Sequence, residues 1–197
     1  MGTGSSLKIS IAVFLGNPGI EYRDTRHNFA WRVLEKLMPP PTGWKKRFQG
    51  EFTRYAAHDA SAYLLRPLTL MNRSGHSVGA MAHFFRIPPD EILVIHDDLE
   101  LDFGWVAYKH GGGLGGHNGL RSVADTLGTR DFQRLRLGIS RPGRGSVTSW
   151  VLGRFSKHEM PGLDAVAEAG AESLMRLLNS PGRGDPFRRK VFPPPES

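Results

Sequence analysis

His27, Asp97 and the run Gly111-Gly112-Gly113-Leu114-Gly115-Gly116-His117-Asn118-Gly119 hold the side chains of this chain best suited to chemistry. An imidazole titrates near neutrality, and a neighbouring carboxylate fixes its tautomer and stabilises the imidazolium. His27, in Thr25-Arg26-His27-Asn28, is the general-base candidate, and Asp97, in His96-Asp97-Asp98, is the candidate carboxylate. Such a pair activates a water or a hydroxyl without a metal. The competing structural reading makes His27 a residue at a helix start, bonded to the backbone. In the glycine run, six of nine residues are Gly. Glycine lets a ligand approach the main chain closely. Leu120, Val123, Ala124 and Leu127 follow at helical spacing, so the run opens a helix. Free N–H groups at a helix start attract an anion or polarise a carbonyl. With His117 and Asn118 at that opening, the expected substrate carries a phosphate or a carbonyl.

Two further clusters, Asn17-Pro18-Gly19 and Met71-Asn72-Arg73, also fall at strand exits, where α/β sheets build their sites. Asparagine there is ambiguous, because it also caps helices and turns. His96-Asp97-Asp98 offers hard oxygens and an imidazole to a metal, but adjacent residues on a strand point to opposite faces. No Gly-x-Ser-x-Gly elbow occurs, which argues against a Ser-His-Asp hydrolase of that type. Gly111, Gly113 and Gly116 match the dinucleotide pattern Gly-x-Gly-x-x-Gly. That pattern expects an acid at the end of the next strand, whereas Asp131 precedes it and the strand runs on as Leu135-Arg136-Leu137-Gly138.

The elements that must position these groups are legible from periodicity. Lys8 to Leu15 reads as a buried strand. Ala30, Val33, Leu34 and Leu37 mark a helix that stops at Pro39-Pro40-Pro41. Phe52 to Ala57 and Ala62 to Leu65 read as a hairpin through Asp59-Ala60-Ser61. Val78, Met81, Ala82 and Phe85 mark a helix closed by Pro88-Pro89. Strands follow at Ile92 to Ile95, Trp105 to Lys109 and, after the glycine-loop helix, Arg134 to Ile139. Ser140 to Ser149 reads as a polar, basic loop, and Leu163 to Leu178 as a final helix. The expected fold is a single α/β domain over 8–180, a mixed, twisted central sheet with helices on both faces. Residues 1–7 are expected to be a flexible start, and 181–197, rich in Pro, Gly and Arg, a loosely held tail.

The 197 residues suffice for one domain with a core, and no apolar run approaches membrane-spanning length. The absence of cysteine excludes disulfides, thiolate metal sites and cysteine nucleophiles, and fits a cytoplasmic protein. The net charge is +7 and the pI about 10.0. Between Phe103 and Arg154 there are eight Lys/Arg and two acids, Asp125 and Asp131. This basic segment contains the glycine run and implies an anionic partner near it; the alternative is a solvated basic face.

Taken together, the clusters resemble the bacterial peptidyl-tRNA hydrolases. Leu15-Gly16-Asn17-Pro18-Gly19 with Tyr22 and Thr25-Arg26-His27-Asn28 is similar to that family's opening signature, as is Met71-Asn72-Arg73-Ser74-Gly75. His96 to Leu101 followed by Gly111 to Leu120 is similar to its second signature, and Arg134 to Ile139 and Val151-Leu152-Gly153 continue the likeness over roughly residues 8 to 178. The resemblance implies a metal-free, cofactor-free monomer that cleaves the ester between a peptide and the 3′ ribose of tRNA. It implies His27 as base with Asp97 as its partner, and Asn17, Asn72 and Asn118 binding the peptide or orienting the attacking water. It places Tyr22 and Met71 in the same cleft, and Lys109 and Arg136 on the tRNA acceptor arm. Asn118, or the N–H groups at its helix start, would serve the oxyanion. Ala30, Arg73 and Phe103 depart from the family's usual glycine, apolar residue and proline, and the ending from Pro181 is unlike the usual one. The alternatives are a relative that binds RNA without turnover and a nucleotide-dependent enzyme using the glycine loop.

Overall fold

The computed structural model describes residues 8–57, 60–179 and 185–193. The expected flexible start and the tip of the hairpin at Asp59 lie outside these. Eight strands form one sheet: β1 (Ile11–Phe14), β2 (Lys45–Arg47), β3 (Gly50–Ala57), β4 (Ala60–Pro67), β5 (Ile92–Asp98), β6 (Trp105–His110), β7 (Gln133–Gly138) and β8 (Phe187–Lys190). Their order is β2-β3-β4-β1-β5-β7-β6-β8. β4, β1, β5 and β7 are mutually parallel, and the outer pairs are antiparallel. The helices are α1 (Phe29–Glu35), α2 (Ser74–Phe85), α3 (Asn118–Leu127), α4 (Val147–Val151) and α5 (Met160–Asn179). The single mixed α/β architecture expected from the sequence is the one observed.

Strand alternation divides the core in two. Ala12 and Phe14 of β1 face α1 and α5, together with Leu93, Ile95, Leu135 and Leu137. Ile11 and Val13 face the other way, with Val94, onto α2 and α3. Each buried Leu, Ile or Phe contributes about 1.5–3 kcal/mol through removal of apolar surface from water, so both faces must be covered for the parallel centre to be stable. Helices α2 and α3 approach closely because Gly75 has no side chain: a Cβ there would meet the Ser122 carbonyl oxygen at 2.0 Å.

Several elements differ from the sequence reading. β5 runs on through His96-Asp97-Asp98 rather than ending at Ile95. A helical turn, α4, starts within the segment read as a loop and runs past its end; Ser146 caps it by accepting from the Ser149 N–H at 3.1 Å. β2 went unread because Lys45-Lys46-Arg47 has no apolar alternation, as befits an exposed edge strand. The tail is the main correction. Phe187–Lys190 is not loosely held but pairs with β6 as the other edge of the sheet. Its anchors are apolar: Phe187 stacks on Tyr108 with ring centroids 5.9 Å apart, and Phe192 packs on Phe103 at 5.9 Å. The Pro/Gly/Arg composition masked these anchors.

Candidate active site

The carboxyl ends of the parallel strands open into a cleft of about 340 Å³. Asn17 follows β1, Met71 and Asn72 follow β4, Asp97 is the penultimate residue of β5, and His117 and Asn118 open α3. All of these, with Tyr22 and His27, line the cleft. Lys109 and Arg136 do not. They line an adjoining recess of about 250 Å³ that shares His96, Asp98, Leu114 and Gly115 with the cleft.

At the cleft floor, His27 Nδ1 lies 2.9 and 3.1 Å from the two oxygens of Asp97, 70 residues away. Both side chains are buried. His27 sits in a single 3-10 turn, Arg26–Asn28, directly before α1, so the rest of the helix carries its backbone rigidly. Because Nδ1 donates to the carboxylate, Nε2 carries the lone pair, and it has no protein partner among the described residues. Burial pushes the imidazole pKa down, but the charge of Asp97 and the hydrogen bond to it outweigh burial, and the net pKa lies above the ordinary value. Burial pushes the Asp97 carboxyl up, and the His27 and His117 contacts reverse this and hold it well below the usual carboxylate range. Asp97 is therefore a fixed anion.

His117, which the sequence put at the opening of the helix without a role, is the second partner of Asp97. Its Nε2 lies 3.0 Å from the same Asp97 oxygen. Its Nδ1 accepts the N–H groups of Gly119 and Leu120 at 3.1 and 3.3 Å, making it the N-cap of α3. A nitrogen that accepts two N–H bonds carries a lone pair, so the proton is on Nε2, pointing at Asp97. This corrects one expectation: two of the free N–H groups foreseen at the loop–helix junction are already taken by His117. Beside this cap, the exposed Asn118 side chain lines the cleft. The signal for a cap was a polar side chain just before an apolar helical period.

The asparagines divide by role. The Asn17 side-chain oxygen accepts the Met71 N–H at 2.7 Å, which leaves its NH2 group as a donor at the cleft wall. Asn28 is not a cleft residue: its amide bonds both the N–H and the C=O of Asn17, at 2.8 and 2.9 Å, as a neighbouring strand would. Arg26 fixes the opposite wall. Its guanidinium stacks 3.7 Å from the Trp150 ring centroid, donates to the Arg154 carbonyl at 2.6 Å and pairs with Glu159. Through α4 this holds Val147 and Leu152, both exposed, at the apolar rim.

Strand alternation settles His96-Asp97-Asp98. Asp97 turns to His27, whereas Asp98 turns to the other face and pairs with Arg136 at 2.7 Å. His96 is fully buried; desolvation, then the neighbouring His117, push it down to about 3, so it is neutral, and its Nδ1–H donates to the Asp97 carbonyl at 2.6 Å. The three consecutive residues thus do not converge on one ion. His27, Asp97 and His117 do bring ligand-type atoms within 4.8 Å of one another, but those atoms already face each other as hydrogen-bonded pairs.

Beneath the glycine loop, Arg134 is completely buried and donates to the carbonyls of Gly113, Gly112 and Arg130 at 2.6, 3.0 and 3.1 Å. It spends its charge on shaping the loop. Lys109 has no acid partner among the described residues; burial, then Arg136 and Arg134, lower its pKa. Neither Asp125 nor Asp131 pairs with Lys109 or Arg136. The dinucleotide alternative fails on topology. It needs parallel strands around the glycine loop and helix, whereas β6 and β7 are antiparallel.

Comparison with known proteins agrees with this geometry. A family model described as peptidyl-tRNA hydrolase matches residues 11–184. The peptidyl-tRNA hydrolase of Treponema pallidum is 47% identical over 176 residues, covering 86% of this chain and 87% of that one. That of Neisseria meningitidis is 46% identical over 171 residues, covering 82% and 86%. The crystal structure of peptidyl-tRNA hydrolase from Acinetobacter baumannii superposes with a TM-score of 0.76 at 36% identity, covering 90% of this chain and 96% of that one. With likeness of this extent in both sequence and fold, the chain belongs to the peptidyl-tRNA hydrolase family.

Proposed function

We propose that this chain hydrolyses the ester joining a peptide to the 3′ ribose of tRNA, with His27 as general base and no metal. The observation that carries the reading is the buried 2.9 Å bond between His27 Nδ1 and Asp97 at the floor of an open cleft. His27 Nε2 takes a proton from water as the water oxygen attacks the ester carbonyl. Asp97 stabilises the imidazolium, and His117 holds Asp97 in place. The tetrahedral oxyanion accepts hydrogen bonds from the amide groups of Asn118 and Asn17. Collapse breaks the bond to the ribose oxygen, which takes the proton from His27. The products are a free peptide acid and a tRNA 3′ hydroxyl.

Asn72, Met71 and Tyr22 hold the peptide along the cleft. Amide donors and acceptors suit a peptide backbone whatever its side chains, and the rim at Leu70, Val147 and Leu152 gives those side chains apolar contact. Lys109 and Arg136 bind acceptor-arm phosphates in the recess beside the cleft. The enzyme works as a monomer in the cytoplasm, as one domain whose sheet includes β8, and needs no cofactor. Among the described residues no helix is long and apolar enough to cross a membrane. The deciding experiment is incubation with N-acetyl-aminoacyl-tRNA without added metal and measurement of released tRNA. Release at the uncatalysed rate overturns the proposal.

A further inference from the structure

One face of the β7–β6–β8 end of the sheet lies under α1 and α5, with Val106, Tyr108, Leu135 and Leu137 in its core. The opposite face carries cations. In antiparallel ladders, residues directly opposite one another share a face. Arg136 is opposite Ala107, and Ala107 is opposite Arg188; Trp105 is opposite Lys190. Arg136, Ala107 and Arg188 therefore form one row across three strands, spanning about 10 Å at ~4.8 Å per strand. Lys109 and Lys190 flank it on the same face. The small side chain of Ala107 separates the two arginines.

The β8 cations are held in place and are not neutralised. Arg188 lies 4.5 Å from the Trp105 ring centroid, a cation–π contact that keeps the long side chain along the sheet. Arg188 and Lys190 are exposed, and no carboxylate pairs with either among the described residues. Arg189, between them, turns to the other face and pairs with Glu172 at 3.3 Å. The strand is seated by main-chain bonds as well: the Val191 and Phe192 N–H groups both donate to the Gly104 carbonyl, at 2.6 and 3.1 Å.

We infer that β8 extends the RNA-contact surface of this protein, with Arg188 and Lys190 binding backbone phosphates of the substrate's tRNA stem beyond Lys109 and Arg136. The inference rests on the reading of those two residues given above. Its arguments are continuity with them on one sheet face and the complementarity of Arg188 and Lys190, which pair with no carboxylate among the described residues, to a phosphate backbone. Such contacts position the RNA without reading its sequence.

The test uses the full chain with Arg188 and Lys190 both changed to alanine, and Arg189→Ala as the control on the opposite face. Binding of deacylated tRNA is measured against salt, and hydrolysis is measured on N-acetyl-aminoacyl-tRNA and on an N-acyl-aminoacyl ester lacking the tRNA body. In the counterion picture each lost phosphate contact lowers the log–log salt slope by roughly 0.7–0.9, so two contacts weaken binding on the order of tenfold at 0.15 M salt. The expected result is that loss for the double variant, a raised KM for the tRNA substrate with kcat unchanged, and no change for the minimal ester or for Arg189→Ala. An unchanged slope in the double variant overturns the inference. So does an equal loss in Arg189→Ala, which would make the effect one of net charge alone. A wild-type protein that binds tRNA without hydrolysing it overturns the catalytic proposal instead, and the slope comparison still decides the role of β8.

Discussion

Replacing Asp97 with asparagine keeps the shape of the buried group and removes its charge. One Asp97 oxygen takes both the His27 Nδ1–H at 2.9 Å and the His117 Nε2–H at 3.0 Å, and the other lies 3.1 Å from His27 Nδ1. An asparagine oxygen in the first position retains two bonds, but its NH2 group then faces the His27 N–H, donor against donor. Hydrogen bonds to charged groups contribute about 1.5–3 kcal/mol and neutral ones about 0.5–1.5. The variant therefore loses about 1–3 kcal/mol of imidazolium stabilisation, or about 5- to 150-fold in kcat. The pH dependence moves in a fixed direction. His27 must be neutral to act as base, so kcat/KM rises with pH through the His27 pKa, which lies above its ordinary value because Asp97 outweighs burial. Without that charge, burial prevails and the acidic limb of the profile shifts to lower pH. The assay is kcat/KM for N-acetyl-aminoacyl-tRNA across the acid-to-neutral range on protein shown to be folded. Full activity with an unshifted limb refutes the assignment of Asp97 as the partner of His27.

Substituting His27 with alanine should remove about 10²–10⁴-fold of activity while tRNA binding stays largely intact, and near-normal turnover by the folded variant would sink its role as base. Lys109→Ala should raise KM for full-length substrate and leave the minimal ester unaffected; equal loss on both substrates would remove Lys109 from the RNA surface. Arg136→Ala should act likewise, but with a lowered melting temperature, because Asp98 loses its cation at 2.7 Å. Activity should survive EDTA, with metal effects on tRNA folding controlled; restoration by one specific metal acting on the protein would instead place an ion among His27, Asp97 and His117.

What the sequence determined by itself is local. Alternation and helical periods located most elements, because burying one face of a strand or helix imposes that pattern on neighbouring residues. The polar clusters at strand exits were legible for the same reason, and so was the His27–Asp97 pairing, as a chemical expectation from residue types. Tertiary structure decided everything that depends on distant partners. His117 became both a helix cap and the second donor to Asp97 only because β5 delivers that carboxylate to the start of α3. Asn28, within a cluster that looked catalytic, proved to be a clamp on Asn17. Arg134, one of the eight cations counted in the basic segment, is buried under the glycine loop. The tail joined the sheet because Phe187 and Phe192 found Tyr108 and Phe103, contacts between segments about 80 to 90 residues apart that no local period encodes.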